Sequence, residues 1–585
     1  MATPFETAAH QVVSGADAQA VAFGLVSEMT LEEKLGCLDG DTEFWPGLAD
    51  MVSGGYHSHP WPAAKVPRLG IPGIDFVDGP RGSVVGAATC FPVSMARGAT
   101  FDPSLEERVG EAIGKEMRAI GATYTGAVCM NLLRHPGWGR AQETYGEDPF
   151  HVGEMAAALT RGLQKHVMAC MKHFALNSIE EARFRVDVTV EDRAMHEVYL
   201  PHFRRVANEG VASVMTAYNS VNGTWCGENE YLLTQVLRGE WGWDGFVTSD
   251  FIAGLHDPIA SVKAGLDIEM PFEQQRHLVL PMALESGELD IDEVDQRVRD
   301  IVATLLRFAY VFESQPEPSV LACSEHRALA REVSARSMVL LRNDGNLLPV
   351  EPGLTRRVAV LGRLASISNT GDGGSSAVLP PDVVTVLDGI RNAFPRATVT
   401  HSDRDISISD EVDLAVVVVG FTSADEGEFI DLSAQESMLA LFPPPPSKAI
   451  AFAPATSDLA QTSQSDDPMS IEISGEPPRS IAGGSTRSDV SDPGFSPGGD
   501  RRSLHLHAED VELIRDVVAT CPSTVVVVMG GSAVIMPWLE EAPAVIIGWY
   551  PGMEGGNALG DVLSGLREPS GRLPFAIPRD EINLV

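Results

Sequence analysis

Six short apolar runs in the first half of the chain end in polar side chains able to do chemistry. Ile74–Val77 leads to Asp78, Gly126–Leu133 to Arg134, Val167–Met171 to Lys172 and His173, Ala212–Ala217 to Tyr218, Gly245–Thr248 to Asp250, and Leu266–Ile268 to Glu269. A carboxylate at a strand tip can act as a nucleophile or as a general acid or base. Asp250 is so placed, but taken alone it reads first as the N-cap of Phe251-Ile-Ala-Gly-Leu, a position Asp fills well. Lys172 needs a polar partner, because buried unpaired charge is expensive. A sugar hydroxyl or a structural carboxylate would serve equally. Arg183, ten positions after His173, can point back to the same place.

Arg134 opens the loop Arg134-His-Pro-Gly-Trp-Gly-Arg-Ala-Gln-Glu, where charged groups and Trp138 suit sugar recognition. The same loop also reads as a rigid one held by Arg140 with Glu143, Glu147 or Asp148. Farther on, Asp425, Glu426 and Glu428 follow the apolar run at Val416–Val419 on a glycine-containing loop, which alone reads as solvated. Pro551-Gly-Met-Glu-Gly-Gly-Asn precedes a helix and could offer backbone N–H groups to a ligand.

The elements that must position these groups alternate between strand and helix. Helical stretches at Leu105–Ile120, Gly153–Leu163 and Arg193–Asn208 lie between the apolar runs, which implies βαβ units and a parallel sheet. Polar groups gathered at the C-terminal ends of strands favour a (β/α)8 TIM-like barrel over an open sheet. Thr30 and Glu33 form a capping-box signature before a helix. Residues 1–310 are assigned to the barrel, 311–335 to a linker around the Pro-rich Glu313–Ser319 stretch, and 336–585 to an α/β sandwich domain. In the last, runs at Arg357, Asp413, Thr524 and Ala544 read as buried parallel strands. A low-complexity insertion rich in Pro, Ser, Asp and Gly spans about 443–500.

The net charge of −38 disfavours phosphate backbones and anionic membranes, so neither nucleic acid nor a membrane is an expected partner, whereas a neutral ligand meets no such repulsion. Seven scattered cysteines without a C-x-x-C pair argue against a disulfide framework or a zinc site. The N-terminal residues lack a basic segment followed by an apolar one, which makes the expected compartment cytoplasmic. Assembly into a homo-oligomer is left open.

Together these segments resemble glycoside hydrolase family 3, from about Leu25 to Pro578. The resemblance is carried by Asp78-Gly-Pro-Arg-Gly, Arg134-His-Pro-Gly-Trp-Gly-Arg, Lys172-His-Phe, Val214-Met-Thr-Ala-Tyr-Asn-Ser-Val-Asn-Gly, Thr248-Ser-Asp-Phe and Gly571-Arg-Leu-Pro-Phe. It implies a barrel followed by an α/β sandwich with the active site between them, a retaining mechanism, and neither cofactor nor metal. It makes Asp250 the nucleophile, with Phe251 where the family usually has Trp. It carries sugar binding over to Asp78, Arg134, Lys172, His173, Arg183 and Tyr218, with Met215 lining the pocket.

The family's acid/base lies on a variable loop of the second domain. Gly427-Glu428 matches it best, and Glu426 is the alternative. Gly499-Asp-Arg matches a motif that in relatives follows much sooner, so residues 429–498 depart from the family pattern. Lys172-His-Phe-Ala-Leu-Asn-Ser lacks the features of the branch acting on N-acetylglucosaminides.

The activity so implied is that of an exo-acting β-glucosidase. A β-xylosidase or a small-molecule deglycosylase is the nearer alternative, and a non-catalytic sugar-binding protein the more distant one. A retaining pair needs carboxyls about 5–5.5 Å apart. Lys172 or Arg183 is expected to keep Asp250 ionised, and burial to keep Glu428 protonated.

Overall fold

The computed structural model describes residues 2–429, 438–445 and 498–584, so the interior of the predicted insertion lies outside the described residues. The first half is built on six strands in the order Trp61–Ala63, Ile74–Phe76, Tyr124–Cys129, Met168–Phe174, Ser213–Thr216 and Phe246–Thr248. The first pair is antiparallel and the rest are parallel. Single bridges Thr248–Ile268, Asp39–Glu269 and Gly40–Ala63 close the ring, so two of its eight segments are reduced to bridges. The run at Leu266–Ile268 is one of these, which is why its strand signal is the shortest.

Side chains alternate across this wall as the pleat requires. Tyr124, Cys170, Met215 and Phe246 belong to the interior cluster, while Val128, Met171, Val214 and Val247 pack outward with Leu105, Val109 and Ile113 of the Pro103–Ala119 helix. Inside the barrel the Tyr124 hydroxyl bonds with Ser213 Oγ at 2.9 Å and Thr248 Oγ1 at 3.2 Å.

The capping box at Thr30 forms as expected. The single helix expected over Arg193–Asn208 is instead broken, with a wide π-type turn at Met195–Tyr199 and a fresh start at Pro201–Ala207. Pro201 lacks the N–H that would continue the first segment.

The second half is a six-stranded sheet in the order Val339–Asn343, Ala544–Ile547, Thr524–Met529, Leu414–Gly420, Arg357–Leu361, Thr398–Ser402. All neighbours are parallel except the Val339–Asn343 edge strand. One face, with Val358, Val416 and Val527, packs on Leu387, Ile390 and Leu559. The other, with Ala359, Val417 and Val526, packs on Leu513, Ile514 and Val517.

The expected linker is partly ordered as the Ser324–Ser337 helix, because only the Glu313–Ser319 stretch is Pro-rich while the residues after it have helical periodicity. The glycines near 555 serve packing: a Cβ on Gly389 would lie 1.8 Å from Gly556 O, so the Val386–Ala393 and Gly555–Ser564 helices touch backbone to backbone.

The halves meet through an apolar cluster that joins Val93, Met95, Leu133 and Trp138 to Ala533, Ile547, Trp549 and Phe575. Arg81, from the Asp78-Gly-Pro-Arg segment, crosses the boundary and donates to Ser376 O at 3.0 Å and to the carbonyls of Thr370 and Asp372. It thereby fixes a second-half loop over the barrel mouth. All seven cysteines are free thiols.

Candidate active site

The strand tips bring together most of the first-half residues expected from the sequence. Lys172 Nζ bonds both oxygens of Asp78, at 2.9 and 2.8 Å, and Tyr56 donates to Asp78 Oδ2 at 3.1 Å. His173 Nε2 lies 3.5 Å from Asp250 Oδ2. Asp250 Oδ1 accepts from the Phe251 backbone N–H at 2.8 Å, which orients the carboxylate. Its Oδ2 is buried and accepts no hydrogen bond among the described residues. Tyr218 donates to Phe251 O at 2.9 Å, and its ring lies beneath the Arg183 guanidinium, 5.1 Å away. Phe251 packs its ring 4.7 Å from Phe76. Met215 sits deeper, in the barrel interior with Tyr124 and Phe246.

The second half supplies the facing carboxylate. Glu428 Oε1 accepts from Arg183 Nη1 at 3.0 Å and lies 3.6 Å from Arg140 Nη1, while Oε2 accepts from the Ser375 N–H at 2.6 Å. Arg183 also donates to Phe429 O at 3.1 Å, so a first-half side chain grips the loop that carries Glu428. Gly427 and Gly499 exchange backbone hydrogen bonds, at 3.3 and 3.0 Å, and form the neck of the insertion. Gly427 has φ 157° and a Cβ there would lie 2.4 Å from Asp372 Oδ1, so glycine is needed at the neck. Asp500, just past it, accepts from the N–H groups of Gly139, Glu180 and Glu181 at 2.9–3.1 Å.

Several expectations are corrected by this geometry. Arg134 is exposed. Leu133 is anchored in the cluster between the halves, and the chain then turns at His135–Trp138, which throws Arg134 outward. The same turn delivers Arg140, buried against Glu428 and bonded to Glu143 at 2.8 and 2.7 Å. Trp138 does not present a stacking face: it is buried in that cluster and its Nε1 donates to Glu180 at 3.3 Å. Glu426, the alternative acid/base, is fully buried and engaged by Arg501 at 2.9 Å and by Gly531 N–H and Tyr550 O–H at 2.6 Å each. Asp425 caps Thr422 and pairs with His507, and Glu269 accepts from the Arg276 N–H.

Tyr56, Arg81, Ser375 and Glu180 were not singled out by sequence, and Arg140 only as the partner of Glu143, Glu147 or Asp148 in a rigid loop. Only Arg81 and Arg140 carried a signal, since both lie inside quoted motifs.

The electrostatics also depart from expectation. Burial pushes the Asp250 carboxyl up to about 6, against the pull of Lys172, Arg140 and Arg183. Burial pushes Glu428 up as well, but Arg140, Arg183 and the hydrogen bonds of Ser375 outweigh it and hold the carboxyl well below the usual range. Burial and the same cations drive His173 far down, so it is neutral. Burial works against the charge of Lys172, yet Asp78 keeps it protonated. Glu180, buried and shared with Glu428 across Arg183 Nη1 at 3.2 Å, is pushed up to about 8. Among the described residues no three His, Cys, Asp or Glu side chains form a group able to hold a metal ion, and no helix is long and apolar enough to cross a membrane.

A barrel with a free strand-tip carboxylate, roofed by a sandwich that carries a second one, is the architecture of a glycoside hydrolase. Residues 62–304 match the Glycosyl hydrolase family 3 N terminal domain and residues 338–584 the Glycosyl hydrolase family 3 C-terminal domain. The chain therefore belongs to glycosyl hydrolase family 3. A β-glucosidase of Rhizobium radiobacter is 32% identical over 95% of this chain and 78% of its own length. An exo-α-(1→6)-L-arabinopyranosidase of Bifidobacterium breve is 30% identical over 95% of this chain and 66% of its own length. The solved structure of β-glucosidase 3B from Thermotoga neapolitana in complex with glucose matches with a TM-score of 0.75 at 27% identity, covering 96% of this chain and 76% of that one.

Proposed function

We propose that the protein is a retaining, exo-acting β-glucosidase that releases terminal β-D-glucosyl residues, with Asp250 as nucleophile and Glu428 as acid/base. The observation that carries the reading is the buried, unbonded Oδ2 of Asp250, its other oxygen pinned by the Phe251 N–H and its flank lined by neutral His173. That oxygen is left available to bond a substrate carbon. Asp78, held by Lys172 and Tyr56, is placed to bind outer hydroxyls of the sugar.

In the first step Asp250 Oδ2 bonds to C1 as the bond from C1 to the leaving oxygen breaks, and Glu428 gives that oxygen a proton. In the second, Glu428 takes a proton from water, whose oxygen bonds to C1 and releases Asp250. Ionised Glu428 suits this second step directly. For the first it must gain a proton, which a sugar drawing Arg183 away would ease.

A second reading, a different pyranoside in the same site, is favoured by the similarity to the arabinopyranosidase. A panel of 4-nitrophenyl glycosides separates the two, and a non-catalytic binder would cleave none. The central test is a 2-deoxy-2-fluoro-β-glucoside. It is expected to trap a covalent adduct on the peptide bearing Asp250, and Asp250→Asn is expected to lower kcat by at least about 10³-fold. Labelling of another side chain, or retained turnover, would reject the assignment.

A further inference from the structure

The outer helical layer of the barrel holds a cavity of about 490 Å³ that shares no lining residue with the site around Asp250. It lies between the Pro149–Leu163 helix, the wide turn at Met195–Tyr199 with the Pro201–Ala207 helix, and the Tyr231–Glu240 helix. The last of these is π-type over its whole length. Two π-type segments thus border one opening, and they are tied where His196 Nε2 and the Tyr231 hydroxyl bond at 2.8 Å. Such widened helices are rare and often accompany a functional site. They cannot offer the regular ridges that let neighbouring helices close on one another, so a gap between them is the physical consequence.

The lining combines aromatic rings with hydrogen-bonding groups of both kinds. Phe150 is 76% exposed and borders the cavity, as does the half-buried Trp241, whose ring is anchored on Phe174 at 5.9 Å. Glu154 is taken up by Arg205, at 2.5 and 3.3 Å, and Glu197 by Arg193 at 3.1 Å. Exposed Arg204 has no side-chain hydrogen bond or ion pair among the described residues. Exposed Glu240 has only His196 Nδ1, at 4.0 Å. One guanidinium and one carboxylate are therefore left over beside the two rings.

That set selects a class of ligand. An apolar molecule would strip water from Arg204 and Glu240 without replacing it. An anion would meet Glu154, Glu197 and Glu240 in a chain of net charge −38. A metal ion finds no group of three ligands among the described residues. A saccharide fits each requirement: its C–H faces lie against rings, and its hydroxyls donate to a carboxylate and accept from a guanidinium. The volume is in the usual range for a small-ligand site.

We infer that this cavity is a second saccharide site, separate from the catalytic one, with Phe150 and Trp241 as its stacking platform and Arg204 and Glu240 as its hydrogen-bonding pair. It holds a sugar without cleaving it. The inference goes beyond the glycosidase reading and does not depend on which side chain is the nucleophile.

The test fills the catalytic pocket first. Wild type inactivated with the 2-deoxy-2-fluoro-β-glucoside is titrated with cellotriose by isothermal titration calorimetry, and one weak binding event is expected. Phe150→Ala and Arg204→Ala, both at exposed positions, are each expected to weaken it at least about fivefold. Their kcat/KM for 4-nitrophenyl β-D-glucoside should stay within about twofold of wild type. Phe150→Trp, which keeps a ring, should retain the binding. No binding by the inactivated enzyme, or binding unchanged in either alanine variant, would overturn the site. Inorganic phosphate competing with cellotriose would overturn the class of ligand. If Asp250 resists labelling, the glycosidase reading falls, and the same titration of Asp250→Asn, with and without the cavity substitutions, decides the cavity separately.

Discussion

Asp250 is buried and Glu428, with its side chain 15% exposed, is largely so, yet their surroundings push them in opposite directions. Asp250 stands on the tip of a short barrel strand, with one oxygen bonded to its own backbone neighbour and cations near but not touching. Burial wins there, and its carboxyl rises to about 6. Glu428 stands on a loop neck and is gripped directly by Arg183 and by the Ser375 N–H, with Arg140 close behind. Cations win there, and the carboxyl stays ionised. Burial alone therefore does not assign the acid and the nucleophile: hydrogen-bonded contact with a guanidinium outweighs the same desolvation. The difference also has a mechanical side. Asp250 is placed by its own barrel, whereas Glu428 is placed from both halves, by Ser375 of its own and by Arg183 and the N–H groups that hold Asp500 from the barrel.

The comparison breaks most sharply if Glu428 is not the proton donor. Glu428→Ala is expected to slow glucosides with poor leaving groups about 10³-fold, to spare activated aryl glucosides more, and to be rescued by azide. Glu426→Ala should behave differently. It leaves Arg501 buried without its partner, so it should cost about 3–5 kcal/mol of stability by denaturant titration and show no azide rescue. Azide rescue in Glu426→Ala would exchange the two roles.

Arg140 and Arg134 give a smaller contrast. Removing the buried guanidinium, Arg140→Ala, should reduce kcat/KM about 100-fold by taking one of the two cations from beside Glu428 and leaving Glu143 without its ion-pair partner. Arg134→Ala, at an exposed site, should change it less than about twofold. Equal effects would put Arg134 back in the site.

The contrast between the two carboxylates also predicts a pH dependence. The acidic limb of kcat/KM should fall as pH drops through about 6, as Asp250 takes up its proton. Its folded carboxyl lies above the usual 3.8, so the folded state binds that proton more tightly than the unfolded chain. The resulting stabilisation is full below about pH 4 and is lost as pH rises through about 6, an effect of about 3 kcal/mol. Asp250→Asn should therefore raise Tm at pH 7 and leave it nearly unchanged at pH 4. The opposite sign would mean that cations, not burial, dominate at Asp250 as they do at Glu428.

Much of the frame was legible in the sequence. Apolar runs closed by Asp78, Lys172, Tyr218 and Asp250 became strands with those residues at their tips, because burial demands apolar residues along a strand and permits polar ones only where it emerges. The pairing of Arg140 with Glu143 was also readable, since it is local. The exposed position of Arg134 was not, because one turn at His135–Trp138 decides which arginine in a seven-residue motif points inward. Nor could spacing separate Glu426 from Glu428, two residues apart on one loop. The partners that bury the first, Arg501, Gly531 and Tyr550, lie more than seventy positions away.

Which residue types end which strands, and hence that a carboxylate, a lysine and a histidine share one rim, could be read from the chain alone. Those are consequences of local hydrophobic pattern and alternation. The charge state of each carboxylate and the arginines that set it follow from the folded arrangement. Electrostatic and packing energies depend on distance through space, and the two halves that meet here are joined in space by contacts that chain order does not specify.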